Sequence, residues 1–144
     1  MDIHNKVVQY IDNGNLNAIM SLLNVNNIDK IDYNHAIRRS ALFNRLDIIK
    51  FLFSFENMNS VDNNGYACQL AVEKGHIEIV KFLINHPKFK PNKEHYLSFI
   101  LAIEYGQNEI AKTLLEVNSI RNIIKLEDPE NYDRYVIKIK MEVF

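Results

Sequence analysis

The sequence of 144 residues has no tryptophan, one cysteine, three prolines and four glycines. A single cysteine excludes a disulfide framework within these residues and is typical of proteins from reducing compartments. Neither sign of charge dominates, because 17 lysines and arginines stand against 18 aspartates and glutamates. Without a net field that attracts polyanions, we expect no nucleic-acid partner and no membrane partner.

Long apolar runs are also missing. The longest uncharged apolar stretch, around Tyr96 to Ile103, is far shorter than the roughly 20 residues of a membrane-spanning helix. The first residues, MDIHNKVVQYID, include acids and lack the apolar core of a secretory signal. Because 47% of the residues are hydrophobic, the chain is long enough for one domain with a core. We therefore expect an intracellular, cytoplasmic protein, with a nuclear location left open.

A repeat of about 31 residues is the main feature that is present. Leu52, Leu83 and Leu114 stand at equal steps, since 83 − 52 = 31 and 114 − 83 = 31. Two other columns keep nearly the same step, one of small residues and one of turn residues. The small column is Ser40, Ala71 and Ala102, and the turn column is Gly14, Asn44, Gly75 and Gly106. Four copies of one structural unit are therefore predicted.

Each copy predicts two short helices joined by a tight turn. In the third copy Cys68, Ala71 and Val72 follow the spacing of one helical face and lead to Gly75. Glycine suits this turn because it adopts a left-handed backbone without a Cβ clash. A second amphipathic helix follows in IEIVKFLI. A unit this short cannot bury its own apolar face, so the copies must stack.

The stretch DNNGYACQLAVEKGHIEIVKFLI resembles an ankyrin repeat. The matching residues are Asp62 and Gly65 in the finger, Ala71 in the first helix, Gly75 and His76 at the turn, and Ile79, Val80, Leu83 and Ile84 in the second helix. YACQ replaces the usual opening TPLH, the copies are about two residues short, and Asn44 replaces the turn glycine. Such short, asparagine-rich copies resemble the ankyrin proteins of giant DNA viruses and amoebae.

The resemblance implies an all-α, ankyrin-type helix-turn-helix solenoid in a single domain, residues 1–144. Its predicted repeats are about 3–25, 33–56, 64–86 and 94–117, followed by a C-terminal cap at 118–144. The last segment lacks the turn glycine and is predicted to contain no second helix. Its end, VIKIKMEVF, alternates like a strand, but the segment also places Tyr132, Val136, Ile139 and Val143 on one helical face. We favour a capping helix from about Glu130, since a lone strand would have no partner.

Residues that could perform chemistry are few and dispersed. The histidines, at 4, 35, 76, 86 and 95, do not have metal-ligand spacing, and Cys68 falls on a predicted core face. DNNG at Asp62 lacks the ligand pattern of a calcium loop, and Asp128 with Glu130 forms two close carboxylates without a pocket. The basic stretch KFKPNK around Phe89 is interpreted as a solvated loop. We predict no enzyme, no metal and no cofactor.

The resemblance therefore implies a non-catalytic protein–protein interaction module, which presents a rigid concave surface and finger loops to a protein partner. We expect it to be a monomer. Two alternatives are a decoy or adaptor for host signalling or ubiquitin machinery, and a structural subunit of a larger assembly. The predicted contact residues lie on the first-helix face opposite the core, where aromatic groups beside arginine are typical of interfaces. They are Arg38, Arg39, Leu42, Phe43, Glu73, Lys74, Glu104 and Tyr105. The other interpretation is that the second repeat rotates and buries Leu42 and Phe43.

Overall fold

The computed structural model describes residues 1–24, 27–55, 64–88 and 90–143. These residues form ten α-helices and one short 3₁₀ helix, with no strand among them, so the all-α prediction is confirmed. The helices are α1 (Ile3–Asp12), α2 (Leu16–Leu22), α3 (Tyr33–Leu42), α4 (Leu46–Phe53), α5 (Asn64–Glu73), α6 (Ile77–Asn85), α7 (Lys93–Glu104), α8 (Asn108–Glu116), α9 (Asn118–Glu127) and α10 (Tyr132–Val143). The predicted finger residue Asp62 and the loop residue Phe89 lie outside the described residues.

The chain divides into two compact units, residues 1–63 and 64–144, here called the N-terminal unit and the C-terminal unit. In the N-terminal unit α1 packs on α2 and α3, and α3 packs on α4. In the C-terminal unit the helices α5, α7 and α9 pack in series, and so do α6, α8 and α10. Each unit is therefore built from helix pairs. The single domain 1–144 stays a prediction.

Buried residues recur at the same positions in the second helix of the second, third and fourth pairs. In α6 the buried residues are Ile79, Val80, Leu83 and Ile84. The pattern repeats in α4 and in α8 as Ile48, Ile49, Leu52, Phe53 and Ile110, Ala111, Leu114, Leu115. The small column of the first helices is also buried, since Ser40, Ala71 and Ala102 are all 0% exposed. Small side chains let neighbouring helices approach closely, and the branched residues fill the space between them.

The turn inside each pair has one geometry in all four repeats. The residue of the turn column is left-handed each time, with φ of +66° at Gly14, +58° at Asn44, +74° at Gly75 and +66° at Gly106. The next residue donates its backbone N–H to a carbonyl five positions earlier. These bonds are Asn15 to Tyr10, Arg45 to Ser40, His76 to Ala71 and Gln107 to Ala102, each 2.8 Å long. Together with the bond from the left-handed residue itself, this is a Schellman closure.

Asparagine replaces glycine at residue 44 without changing this turn. Asparagine tolerates the left-handed region better than other non-glycine residues. The repeat lacking its glycine therefore does not rotate, and Phe43 stays 39% exposed rather than entering the core. The interpretation that the irregular second repeat buries Phe43 is wrong.

The prediction for the C-terminal segment is correct in part. Its end is helical, as favoured, with α10 starting at Tyr132. The expectation that the segment has no second helix is wrong, because α9 precedes α10 and packs on α7 while α10 packs on α8. The turn between them uses side chains in place of a left-handed glycine. Asp128 accepts hydrogen bonds from the Tyr135 hydroxyl at 2.6 Å and from the Asn131 amide at 2.9 Å.

Replacement of Ala71 by leucine should strongly destabilise the chain. Ala71 is fully buried in α5, the helix that packs on α6 and α7, so added methylenes have no room. Overpacking of this kind costs about 1–3 kcal/mol in the free energy of unfolding. Urea unfolding measures it, with Glu73→Leu as a control at an exposed position of the same helix. An unchanged midpoint for Ala71→Leu would contradict the assigned face.

Candidate functional site

The Schellman closures leave one column of side chains exposed. The residue immediately before each left-handed position ends the first helix, where the chain leaves the helical path. These residues are Asn13, Phe43, Lys74 and Tyr105, and all four are exposed. We call them the pre-turn column. Two of the four are aromatic, so large apolar surface is exposed at a recurring backbone position.

Phe43 is held in place in the N-terminal unit by an arginine. The Arg39 guanidinium carbon lies 4.8 Å from the centre of the Phe43 ring, which is a cation–π contact. Arg39 is itself bound to the Asp12 carboxylate through two hydrogen bonds, of 2.7 and 2.9 Å. The bidentate pair fixes the guanidinium plane on which the ring rests. Phe43 is thus both exposed and restrained.

The same arginine sets the charge state of Asp12. The hydrogen bonds from Arg39 lower the pKa of the Asp12 carboxyl, and they raise the pKa of Arg39. Arg45 adds positive charge and donates to the α1 carbonyls of Ile11 and Asp12, at 3.1 and 2.8 Å. The C-terminal end of α1 is therefore closed by two arginines from the second repeat. Because the Arg39–Asp12 pair is partly exposed, it adds little to the free energy of unfolding, and its main role is to position the Arg39 guanidinium.

The other predicted contact residues of this unit are less exposed. Arg38 is half-buried and donates from Nε to the Asn34 carbonyl at 3.2 Å. Leu42 is also half-buried, so only part of its side chain is accessible. Of the four predicted contact residues in the second repeat, Phe43 alone is classed as exposed.

In the C-terminal unit the predicted contact residues are exposed at the ends of two neighbouring helices. Glu73 and Lys74 stand at the end of α5, and Glu104 and Tyr105 at the end of α7. Tyr105 is 54% exposed, which makes it more accessible than Phe43. The helices α5 and α7 pack directly on each other, so the two pairs of residues belong to one packed layer. This is a surface of mixed charge with one aromatic.

Three of the residues considered for chemistry, Cys68, His95 and Asp128, have structural contacts in this fold. Cys68 is 0% exposed, and burial raises the pKa of its thiol to about 12, so it stays protonated. His95 is also fully buried, and its Nδ1 accepts the backbone N–H of Asn92 at the start of α7. Asp128 accepts the bonds that close the α9–α10 turn. Within the described residues no group of three or more metal-ligating side chains occurs.

Sequence reasoning missed the two arginine contacts, for different reasons. Arg45 lies over the turn glycine of the preceding repeat, where a Cβ added to Gly14 would come within 2.9 Å of its guanidinium. The contact recurs with the repeat, because Gln107, the residue after Gly106, lies over Gly75 in the same way as Arg45, the residue after Asn44, lies over Gly14. The repeat could therefore have indicated it. The Arg39–Asp12 pair spans 27 residues and matches no column, so no signal in the sequence marks it.

Comparison with protein families decides the identity of the fold. Residues 36–124 match the family described as "Ankyrin repeats (3 copies)", which is more than half of the chain. The chain belongs to the ankyrin-repeat family. Ankyrin repeats are in general protein–protein interaction modules, which makes a protein partner the expected ligand. Comparisons with curated proteins and with solved structures gave no match.

The family match confirms the ankyrin resemblance and extends it toward the C-terminus. It ends inside α9, so the first helix of the C-terminal pair falls within the family pattern. Among the described residues no helix has the length and apolar character needed to span a bilayer.

His95 predicts a specific loss of stability in mild acid. Burial lowers the pKa of His95 to about 4, whereas an unfolded chain would titrate near the ordinary value of 6.5. Titration of His95 therefore leaves the free energy of unfolding unchanged above pH 6.5. It lowers that free energy progressively as the pH falls from 6.5 towards 4. At pH 5 this single group should cost about 2 kcal/mol of unfolding free energy relative to neutral pH.

Urea unfolding at pH 7.5 and pH 5 measures this cost. His95→Gln cannot protonate, so its loss of stability between the two pH values should be smaller by about 2 kcal/mol than that of the parent protein. The comparison uses the difference between pH values, so a constant effect of the substitution cancels. Equal losses in the two proteins would show that His95 is not buried in its neutral form.

Proposed function

We propose that this ankyrin-repeat protein binds a protein partner through its pre-turn column, with Phe43 and Tyr105 as the anchoring side chains. The observation that carries the proposal is the exposure of aromatic rings at this one backbone position, at 39% and 54%. Aromatic residues are enriched in the energetic centres of protein interfaces, where they bury large areas at little entropic cost.

The restraint on Phe43 supports this role. A ring that is already held by Arg39, which is held in turn by Asp12, loses little conformational freedom when a partner covers it. The guanidinium beside the ring also offers charge to a carboxylate on the partner. Aromatic and arginine side chains are both enriched at interfaces, relative to the rest of a protein surface.

In the C-terminal unit the support comes from the layer around Tyr105. Glu73, Lys74 and Glu104 supply both signs of charge close to an exposed aromatic ring. Polar residues that surround an apolar anchor form the rim of many interfaces and give specificity more than affinity. Each unit thus has one aromatic anchor with its own polar neighbours. We assign Arg38 and Leu42 to the edge of the contact surface around Phe43, because both are half-buried.

The partner is proposed to be a folded or extended protein segment, bound without chemistry by a monomer in the cytoplasm. Binding to a preformed helical surface saves the entropy of ordering that a flexible segment would lose. The two more specific roles, a decoy or adaptor for host machinery and a subunit of a larger assembly, stay predictions.

The double substitution Phe43→Ser with Tyr105→Ser should abolish partner binding. Both rings are exposed, so the unfolding midpoint should stay nearly unchanged while both anchors are lost. The partner is first captured from an extract of the source cells by the parent protein and identified by mass spectrometry. Binding of the purified partner is then measured by calorimetry.

The matched control is Met20→Ser with Leu97→Ser, which removes one exposed apolar side chain from each unit outside the pre-turn column. It should bind like the parent protein. If the Phe43 and Tyr105 variant unfolds, the two rings belong to the core. If it folds and binds with unchanged affinity, the pre-turn column is not the contact surface.

A further inference from the structure

An open cavity of about 500 Å³ lies among α8, α9 and α10 in the C-terminal unit. Its apolar floor is formed by Leu115 of α8 and by Val136 and Ile139 of α10. The helices α8 and α9 contact each other and α10 packs on α8, so the cavity is enclosed by one packed group of helices. It contains none of the pre-turn residues.

The rim of the cavity is strongly basic. Cationic side chains line it from all three helices: Lys112 from α8, Arg121 and Lys125 from α9, and Lys140 from α10. A single acidic residue, Glu116, lies among the lining residues. Four cations against one carboxylate form a local positive field in a chain whose formal net charge is -1. This field therefore attracts an anionic ligand to the cavity and repels a cationic one.

Two of these cations are held at the rim by neighbouring groups. The Lys125 ammonium lies 4.9 Å from the centre of the Tyr132 ring. Arg121 donates to the Leu115 carbonyl at 3.4 Å and to the side-chain oxygen of Asn118. Among the side chains that the structure describes, no carboxylate forms an ion pair with Lys125 or Lys140. These two ammonium groups are therefore available to a ligand.

We propose that this cavity binds an acidic segment of a partner protein that inserts one large apolar side chain. The inserted apolar side chain would pack on the floor, because the side chains of Leu115, Val136 and Ile139 are entirely hydrocarbon. The cations come from three helices around the opening, so they match carboxylates spread on both sides of the inserted residue. A single anionic headgroup would use only one part of such a rim.

The site is independent of the pre-turn column. Exposed ion pairs are individually weak, so the inserted side chain must supply much of the affinity. The field of the rim should instead govern the rate of association and the dependence on salt. The proposal thus requires both an apolar anchor and flanking acids, and neither suffices alone.

A labelled peptide tests the proposal by fluorescence anisotropy on the full chain. The probe is a nonapeptide with one central phenylalanine and four glutamates on each side. It should bind at low salt and weaken at least tenfold between 50 and 300 mM sodium chloride. Replacing its phenylalanine with alanine should weaken binding at least tenfold, and replacing its glutamates with lysines should abolish it.

The protein variants locate the peptide in the cavity. Lys125→Glu with Lys140→Glu should weaken binding of the peptide at least tenfold. Arg134→Glu with Lys138→Glu is the matched control, because it makes the same total charge change at two exposed positions of α10 outside this cavity, and it should change affinity less than twofold. The Phe43→Ser with Tyr105→Ser variant should bind the peptide normally, so the two proposals can fail separately.

Several outcomes would overturn the inference. Equal weakening by Arg134→Glu with Lys138→Glu, or equal binding of the alanine peptide, would mean attraction by surface charge alone. Binding of dodecanoate in place of the peptide would assign the cavity to a small amphipathic anion. Concentration-dependent dimerisation that Lys125→Glu with Lys140→Glu abolishes, without binding of the peptide, would assign it to a second copy of the chain. Absence of peptide binding up to millimolar concentration would also contradict it.

Discussion

A pair of backbone hydrogen bonds at each Schellman closure is the constraint on which the helix pairs depend. Helices of 7 to 12 residues, as found here, are marginal in isolation and must pack on another helix at once. The closure makes this possible because one left-handed residue reverses the chain. The following residue donates back to the first helix and is also the N-cap of the second, as at Asn15, Arg45, His76 and Gln107.

The closure also decides which positions are free for recognition. Five positions before the donating residue, Ser40, Ala71 and Ala102 carry the accepting carbonyl and are buried, so the small column cannot vary in size without cost. The residue just before the left-handed position is exposed in every copy. Asparagine, phenylalanine, lysine and tyrosine occupy it in turn. A position that the fold leaves unconstrained can take the side chains that a partner requires.

Much of this fold could be predicted because its determinants are local and periodic. The turn column, the small column and the apolar spacing of the second helices are each visible at a step of about 31 residues. The C-terminal helix pair could not be predicted by that route, because its turn depends on Asp128, Asn131 and Tyr135, which are side-chain contacts. Tyr135 also packs edge-on against Phe99 of α7, 5.3 Å between ring centres, which no spacing rule indicates.

The candidate sites could also be predicted only where they depend on the repeat, and not where they depend on side-chain contacts. Phe43 and Tyr105 could be selected from the sequence, because they occupy a fixed place in the repeat. The Arg39–Asp12 pair that restrains Phe43 could not, because the two residues meet only after α1 and α3 pack. The basic cavity was missed for a related reason. It requires α9 and α10 as two separate helices, whereas the sequence predicted a single capping helix.

Site-specific photocrosslinking tests the central claim, that the pre-turn aromatics touch the partner. Benzoylphenylalanine, a phenylalanine extended by a benzoyl group, replaces Phe43 or Tyr105 at these exposed positions, and in separate proteins it replaces Met20 or Tyr66, which are exposed outside the column. After irradiation with the purified partner, the account predicts covalent adducts from positions 43 and 105 and none from positions 20 and 66. Adducts from the control positions, with none from 43 or 105, would contradict it.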